Sequence, residues 1–130
     1  MFTTATKNRI MNSIFRGVTG VLPTSISIGL SSTAPTEDGA NITEPSASAG
    51  YARASGVLFD AAGGGSVSNQ TTISFPVCTA DAGIVTHYVL YDQNNLPFWY
   101  APLEHSRRME IDTILAFKVG DLKITLQDVV

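Results

Sequence analysis

The chain has little charge, one cysteine, two histidines and one tryptophan, and these shortages close off several classes of chemistry. Only 15% of its 130 residues are Asp, Glu, Lys or Arg, against roughly a quarter in an average globular protein. The five Arg and three Lys are scattered apart from Arg107-Arg108, and the formal net charge is −3. That balance provides no basic stripe, so no nucleic-acid partner is expected. A lone Cys78 excludes an intrachain disulfide and any paired-cysteine metal or redox motif, and it reads as a small buried hydrophobe. His87 and His105 stand on different segments, with no second ligand at metal-binding spacing. No apolar run approaches the ~18–20 residues that cross a bilayer as a helix, so no membrane segment is expected. The opening Met1-Phe2-Thr3-Thr4-Ala5-Thr6-Lys7 lacks the apolar core of a signal peptide, and synthesis in a cytoplasm is the expectation.

A catalytic constellation is missing as well. There is no Gly-x-Ser-x-Gly elbow to present a serine nucleophile. A glycosidase needs two carboxylates facing across a cleft, whereas Glu37, Asp38, Glu44, Asp60, Asp81 and Asp92 fall almost wholly in turn-like segments. Gly63-Gly64-Gly65 lacks the following Lys-Ser/Thr and the helix of a phosphate loop. The acidic loops do not follow the twelve-residue calcium pattern. No catalytic, cofactor-binding or metal-binding residues are therefore expected, and the chain reads as a non-enzyme.

What is present is patterned apolar sequence, 44% of the chain, enough for one domain with a core of its own. Thr4 to Phe15 carries Ile10, Met11, Ile14 and Phe15 at helical spacing, with Thr3, Thr4 or Thr6 as a cap and Gly17 as a stop. From Thr24 the period becomes two: Ile26, Ile28 and Leu30 alternate with small or polar residues. Ser32 to Ala49 reads as a long loop, and long loops tend to be functional. Further strands are expected over Tyr51–Phe59, Asn69–Phe75, Gly83–Asp92, Leu96–Leu103, Glu110–Lys118 and from Leu122 to the C-terminus. The turn Asp60–Ser66 separates the first two of these. Gly83–Asp92 is apolar on both faces and should be central, whereas Pro97 and Pro102 should confine their strand to an edge or make it irregular. The pattern predicts a single all-β domain over 1–130, an antiparallel β-sandwich or jelly roll over 24–130 with a long loop over 32–49. A short N-terminal helical arm over 1–17 precedes it.

A low-charge surface rich in Ser, Thr, Gly and Ala suits a protein packed against neighbours. The helix face, with Ile10, Ile14 and Phe15, either closes the end of the sandwich or docks on another subunit. Tyr51 and Arg53 share a strand face where the long loop re-enters, placed to pin its base. Phe98, Trp99 and Tyr100 are three consecutive aromatics on a strand, so at least one should face outward. Arg107 and Arg108 complete the contact candidates, since aromatics and arginine anchor interfaces.

Several landmarks then recur in order along nearly the whole chain. They are Ile14-Phe15-Arg16-Gly17, Gly29-Leu30-Ser31-Ser32-Thr33-Ala34-Pro35-Thr36, Thr43-Glu44-Pro45 and Gly50-Tyr51-Ala52-Arg53. Asn69, Ile73-Ser74-Phe75-Pro76, Thr86-His87-Tyr88-Val89-Leu90-Tyr91-Asp92 and Val119-Gly120-Asp121 follow. With these the chain resembles small tailed-bacteriophage virion proteins, commonly labelled phage tail fibre proteins, and is also similar to capsid decoration (cement) proteins. The resemblance implies a structural subunit of the virion, assembled in the bacterial host cytoplasm and bound to tail or major capsid proteins. It carries no catalytic residues over. A homo-oligomer, with a trimer as the leading form, is the expected free state. Head decoration is one alternative; the other is a host-glycan-binding β-sandwich module in which Phe98, Trp99 and Tyr100 form a stacking platform.

Overall fold

Thr4–Arg16 forms helix α1 in the computed structural model, which describes residues 1–126. Thr3 caps it in extended conformation, its Oγ1 accepting from the Thr6 N–H at 3.4 Å. Gly17 ends it in the left-handed region at φ 67°, donating its N–H to the Asn12 carbonyl. The cap and the stop are those the sequence signals, and the helix runs one residue beyond the expected Phe15.

Seven strands follow among the described residues: β1 Ser27–Ser31, β2 Ser66–Ser68, β3 Ile73–Ser74, β4 Gly83–Tyr91, β5 Pro97–Met109, β6 Ala116–Phe117 and β7 Lys123–Thr125. Every pairing is antiparallel. A three-stranded sheet has the order β1-β4-β5, and two short ribbons pair β2 with β7 and β3 with β6. The all-β class with one N-terminal helix is therefore what the chain adopts.

β4 is central, as two apolar faces require. Against one face, Ile28, Leu30, Val85, Tyr88, Leu90 and Phe98 form the main core with Val57, Ile73, Phe75 and Leu122 from the other layer. On the opposite face Val89, Tyr91 and Tyr100 are covered by Ile42 of the 32–49 loop. That loop is thus folded back over its own sheet: Ser32 N–H donates to Thr43 O at 2.9 Å, and Thr33 Oγ1 to Asn41 O at 2.6 Å.

Three expected strands are shorter than their alternation suggested. Over Tyr51–Phe59 only isolated bridges form, Ala54 to Ile28 and Phe59 to Asn69, because Gly56 turns to φ 65° mid-segment. The Asn69–Phe75 strand contracts to Ile73–Ser74, since the Asn69 side chain takes over backbone groups that a ladder would use. In Glu110–Lys118 a turn with Asp112 at φ 65° leaves a regular ladder only at Ala116–Phe117, while Thr113 and Leu115 accept single bonds from the Cys78 and Phe75 N–H groups. The terminal strand is seen as Lys123–Thr125, and its expected continuation over 127–130 lies outside the described residues.

β5 exceeds its expected bounds, running through both prolines along the sheet edge to Met109. Its register breaks between Pro102, opposite His87, and Arg107, opposite Val85. Leu103 to Ser106 consequently bulge out opposite Thr86 alone, the irregularity that an edge proline announced.

Candidate functional site

The three residues before α1 hold the helix on the sheet. Phe2 bridges Trp99, Thr3 N–H donates to Phe98 O at 3.1 Å, and Tyr100 N–H donates to Met1 O at 3.0 Å, so the chain start extends the β5 edge. Thr4 N–H then donates to Glu37 O at 2.9 Å. Two cations are drawn back to the body: Lys7 Nζ to Glu37 at 3.7 Å, and Arg9 Nη1 to the buried Asp92 carboxylate at 3.6 Å.

These anchors set which side of the helix meets the domain. Thr6, Arg9, Ile10 and Ser13, spaced i, i+3, i+4, i+7, are the inward stripe; Thr6 is buried and the others are half-buried. The outward stripe is Met11, Ile14 and Phe15, which are 56%, 69% and 74% exposed. Val18 and Leu22, just beyond the helix, are also exposed. A surface helix ordinarily turns its apolar stripe to the core and its polar face to water. Here the mostly polar stripe is inward. Of the two fates open to this face, closure of the domain end is not realised for Ile14 and Phe15. Ile10 is the one predicted helix residue drawn partly inward, and Met11 joins the outward set because it shares the stripe's spacing.

Tyr51 and Arg53 serve the long loop instead. Arg53 donates from Nε (2.9 Å) and Nη2 (2.6 Å) to Glu44 Oε1, the atom to which the Tyr91 hydroxyl also donates at 2.8 Å. The guanidinium lies 3.5 Å over the Tyr91 ring. The Tyr51 hydroxyl accepts from the Leu30 N–H at 3.0 Å, and its ring stacks at 6.2 Å on Phe75. Burial, with the Glu44 carboxylate nearby, raises both Tyr51 and Tyr91 above the ordinary phenol value. Just upstream Gly50 holds φ 88°, and a Cβ there would sit 2.8 Å from Val77 O, so both conformation and space require glycine. The cluster ties Glu44 of the loop to Arg53 and Tyr91, although Tyr51 and Arg53 lie outside any strand. Its hidden member is Glu44, which no local pattern distinguishes from a solvated turn residue.

The aromatic run divides. Phe98 and Tyr100 are buried, while Trp99 is half-buried, donating Nε1–H to the Tyr88 hydroxyl at 3.2 Å with Phe2 edge-on at 4.9 Å. Three rings side by side on an exposed surface, the geometry a glycan platform needs, are not found. Trp99 instead forms part of an open groove of about 510 Å³ between β5 and the 115–123 segment. Arg107 is exposed at that groove's rim. Arg108 pairs with Asp81 at 2.6 Å; a hydrogen bond from the Gly83 N–H and this arginine lower the Asp81 pKa.

His87 Nδ1 lies 2.7 Å from the Thr86 hydroxyl, and His105 is exposed on the bulge. Among the described residues no group of three or more His, Cys, Asp or Glu is placed to hold a metal ion. Cys78 is a free, buried thiol.

In a comparison with protein families, residues 1–125 match the model described as Podophage GP4 fiber I protein gp80. Among curated proteins no match is found. Since that match covers nearly the whole chain, the chain belongs to the family described as Podophage GP4 fiber I protein gp80, a family of phage fibre proteins.

Proposed function

We propose that the chain is a non-enzymatic structural subunit of a tailed-phage fibre, acting as one domain and joined to its neighbours by non-covalent burial of the α1 stripe. The observation that carries this reading is the reversed helix: Met11, Ile14 and Phe15 face water while Thr6 and Arg9 face the body. Isolated short helices are marginal in water, so a helix that gains little core contact needs anchors or a partner to persist. The family supports a fibre role in the virion, and the partner proteins are then other virion components. Assembly in the host cytoplasm follows from the same reading.

The test is to mix purified protein with phage tails lacking it and, separately, with heads lacking it. Binding to tails alone, abolished by Phe15→Glu, is the expected result. Binding to heads alone would replace the fibre role with capsid decoration. Tail binding untouched by Phe15→Glu would move the contact away from α1.

A further inference from the structure

We propose that the groove between β5 and residues 113–123 binds an acidic saccharide, a chain of carboxylate-bearing sugars. The site lies apart from the α1 stripe and does not depend on the fibre reading.

The fold gathers here cations that the sequence scatters. Two hollows of about 510 Å³ and 360 Å³ adjoin along β5 and share Arg107, Leu115 and Ala116. Each has the size of a small-ligand site, ~300–1,000 Å³. Arg107, Arg108, Lys118 and Lys123 line them, half of the chain's eight cations, with only two of its eleven carboxylates, Glu104 and Asp121. The groove is therefore a cationic track on a chain of net charge −3. Arg108 is already held by Asp81 and Glu110. Arg107, Lys118 and Lys123 are exposed and form no ion pair among the described residues. Three such cations along one groove attract an extended anion.

The rest of the lining selects the kind of anion. Trp99, Leu103, Leu115 and Phe117 put apolar surface beside the cations. The indole is fixed in advance, its Nε1–H donating to the Tyr88 hydroxyl at 3.2 Å with Phe2 edge-on. An aromatic face is electron-rich and attracts the C–H groups that a sugar ring presents between its hydroxyls. Glu104 and Asp121 are acceptors for those hydroxyls, and the free cations are partners for the sugar carboxylates. Apolar C–H surface, hydroxyl donors and spaced negative charge meet in one ligand class, the acidic sugars.

Two other polyanions match the lining less well. An acidic peptide would enter by adding a strand to β5, but Pro102 has no N–H and the Leu103–Ser106 bulge breaks the ladder. A nucleic-acid strand draws its affinity from many phosphate contacts, roughly 6–10 in a typical complex, and three free cations are too few.

The experiment uses Trp99, the chain's single tryptophan, as its reporter. The full chain is titrated with hexagalacturonate and, separately, with uncharged maltohexaose, hexaglutamate and a thymidine hexanucleotide, following tryptophan emission and binding heat. Hexagalacturonate should shift the emission saturably and bind about tenfold more weakly when salt rises from ~0.05 M to ~0.2 M. Arg107→Gln with Lys123→Gln should weaken it about tenfold. Lys7→Gln with Arg16→Gln, the same loss of charge outside the groove, should leave it unchanged. All four side chains are exposed, and an unchanged circular dichroism spectrum checks each fold. Undetectable binding of hexagalacturonate, or equal affinity for maltohexaose, would overturn the proposal. Tighter binding of hexaglutamate or of the hexanucleotide would reassign the groove to an acidic protein segment or to nucleic acid. Binding that leaves Trp99 emission unmoved, or equal losses in the two double variants, would also overturn it.

Discussion

Arg53→Ala removes the clamp that closes the 32–49 loop over the outer face of the sheet. The pair it breaks is neither exposed nor deeply buried: the Arg53 and Glu44 side chains are 33% and 24% exposed. Exposed pairs contribute ~0–1 kcal/mol, and breaking a buried pair costs ~3–5 kcal/mol. Two short charge-assisted hydrogen bonds in a partly screened site place this loss near 2 kcal/mol. Removing the guanidinium from the Tyr91 ring adds ~0.5–1 kcal/mol. Glu44 then keeps one partner, the Tyr91 hydroxyl. Because the clamp fixes a loop and not the main core, much of the effect should appear as local opening. A loss of ~2 kcal/mol corresponds to a roughly 30-fold rise in the open population. A Glu-specific protease, with its loop site at Glu37 because Pro45 blocks cleavage after Glu44, reads that opening as a cleavage rate. Urea unfolding of Arg53→Ala, Glu44→Gln and the double variant yields the coupling, expected at ~1–2 kcal/mol. A coupling below ~0.5 kcal/mol together with unaltered cleavage would refute the clamp and assign loop closure to Ile42 and the Ser and Thr hydrogen bonds.

Two further results are expected. Asn69 is fully buried, donating from Nδ2 to Thr71 O and Lys118 O and accepting from the Leu122 N–H, so Asn69→Ala should cost ~2–4 kcal/mol in thermal or urea unfolding. A loss under ~1 kcal/mol would mean that water replaces the amide. The second concerns alkaline pH, where burial raises the Tyr51, Tyr88 and Tyr91 phenols above the ordinary value of about 10. The folded state then holds these protons more tightly than the unfolded state. The stabilisation is fully present below pH ~10 and is lost as pH climbs through the raised values, at up to ~1.4 kcal/mol per pH unit for each phenol. Phenolate absorbance should rise together with unfolding; three tyrosines ionising near pH 10 in a protein that stays folded would contradict this.

Legibility in the sequence followed the range of the forces involved. The α1 boundaries were readable because the Thr3 cap and the Gly17 stop act within a turn of the helix. β4 was readable as central because both of its faces are apolar, and the prolines of β5 announced an edge. Tyr51–Phe59 was not readable as it stands, since one positive φ at Gly56 breaks a ladder that the apolar residues alone suggest. The clamp was half legible. Tyr51 and Arg53 could be placed on one face, but their acceptor Glu44 lies across a loop whose path depends on Ile42 packing on Val89, Tyr91 and Tyr100.

By itself the sequence determined the all-β class, the helix, the lack of a catalytic pattern and, through ordered landmarks, the resemblance to fibre proteins. It also determined that α1 has an apolar stripe, because side-chain spacing alone defines one. It could not say which way that stripe points. Orientation about the helix axis is decided by the strand-like pairing of residues 1–3 with β5 and by Glu37 and Asp92, partners 30 to 99 positions away in sequence. Only the assembled structure brings those anchors to the polar side of the helix. The apolar side is then turned outward, where other chains can cover it.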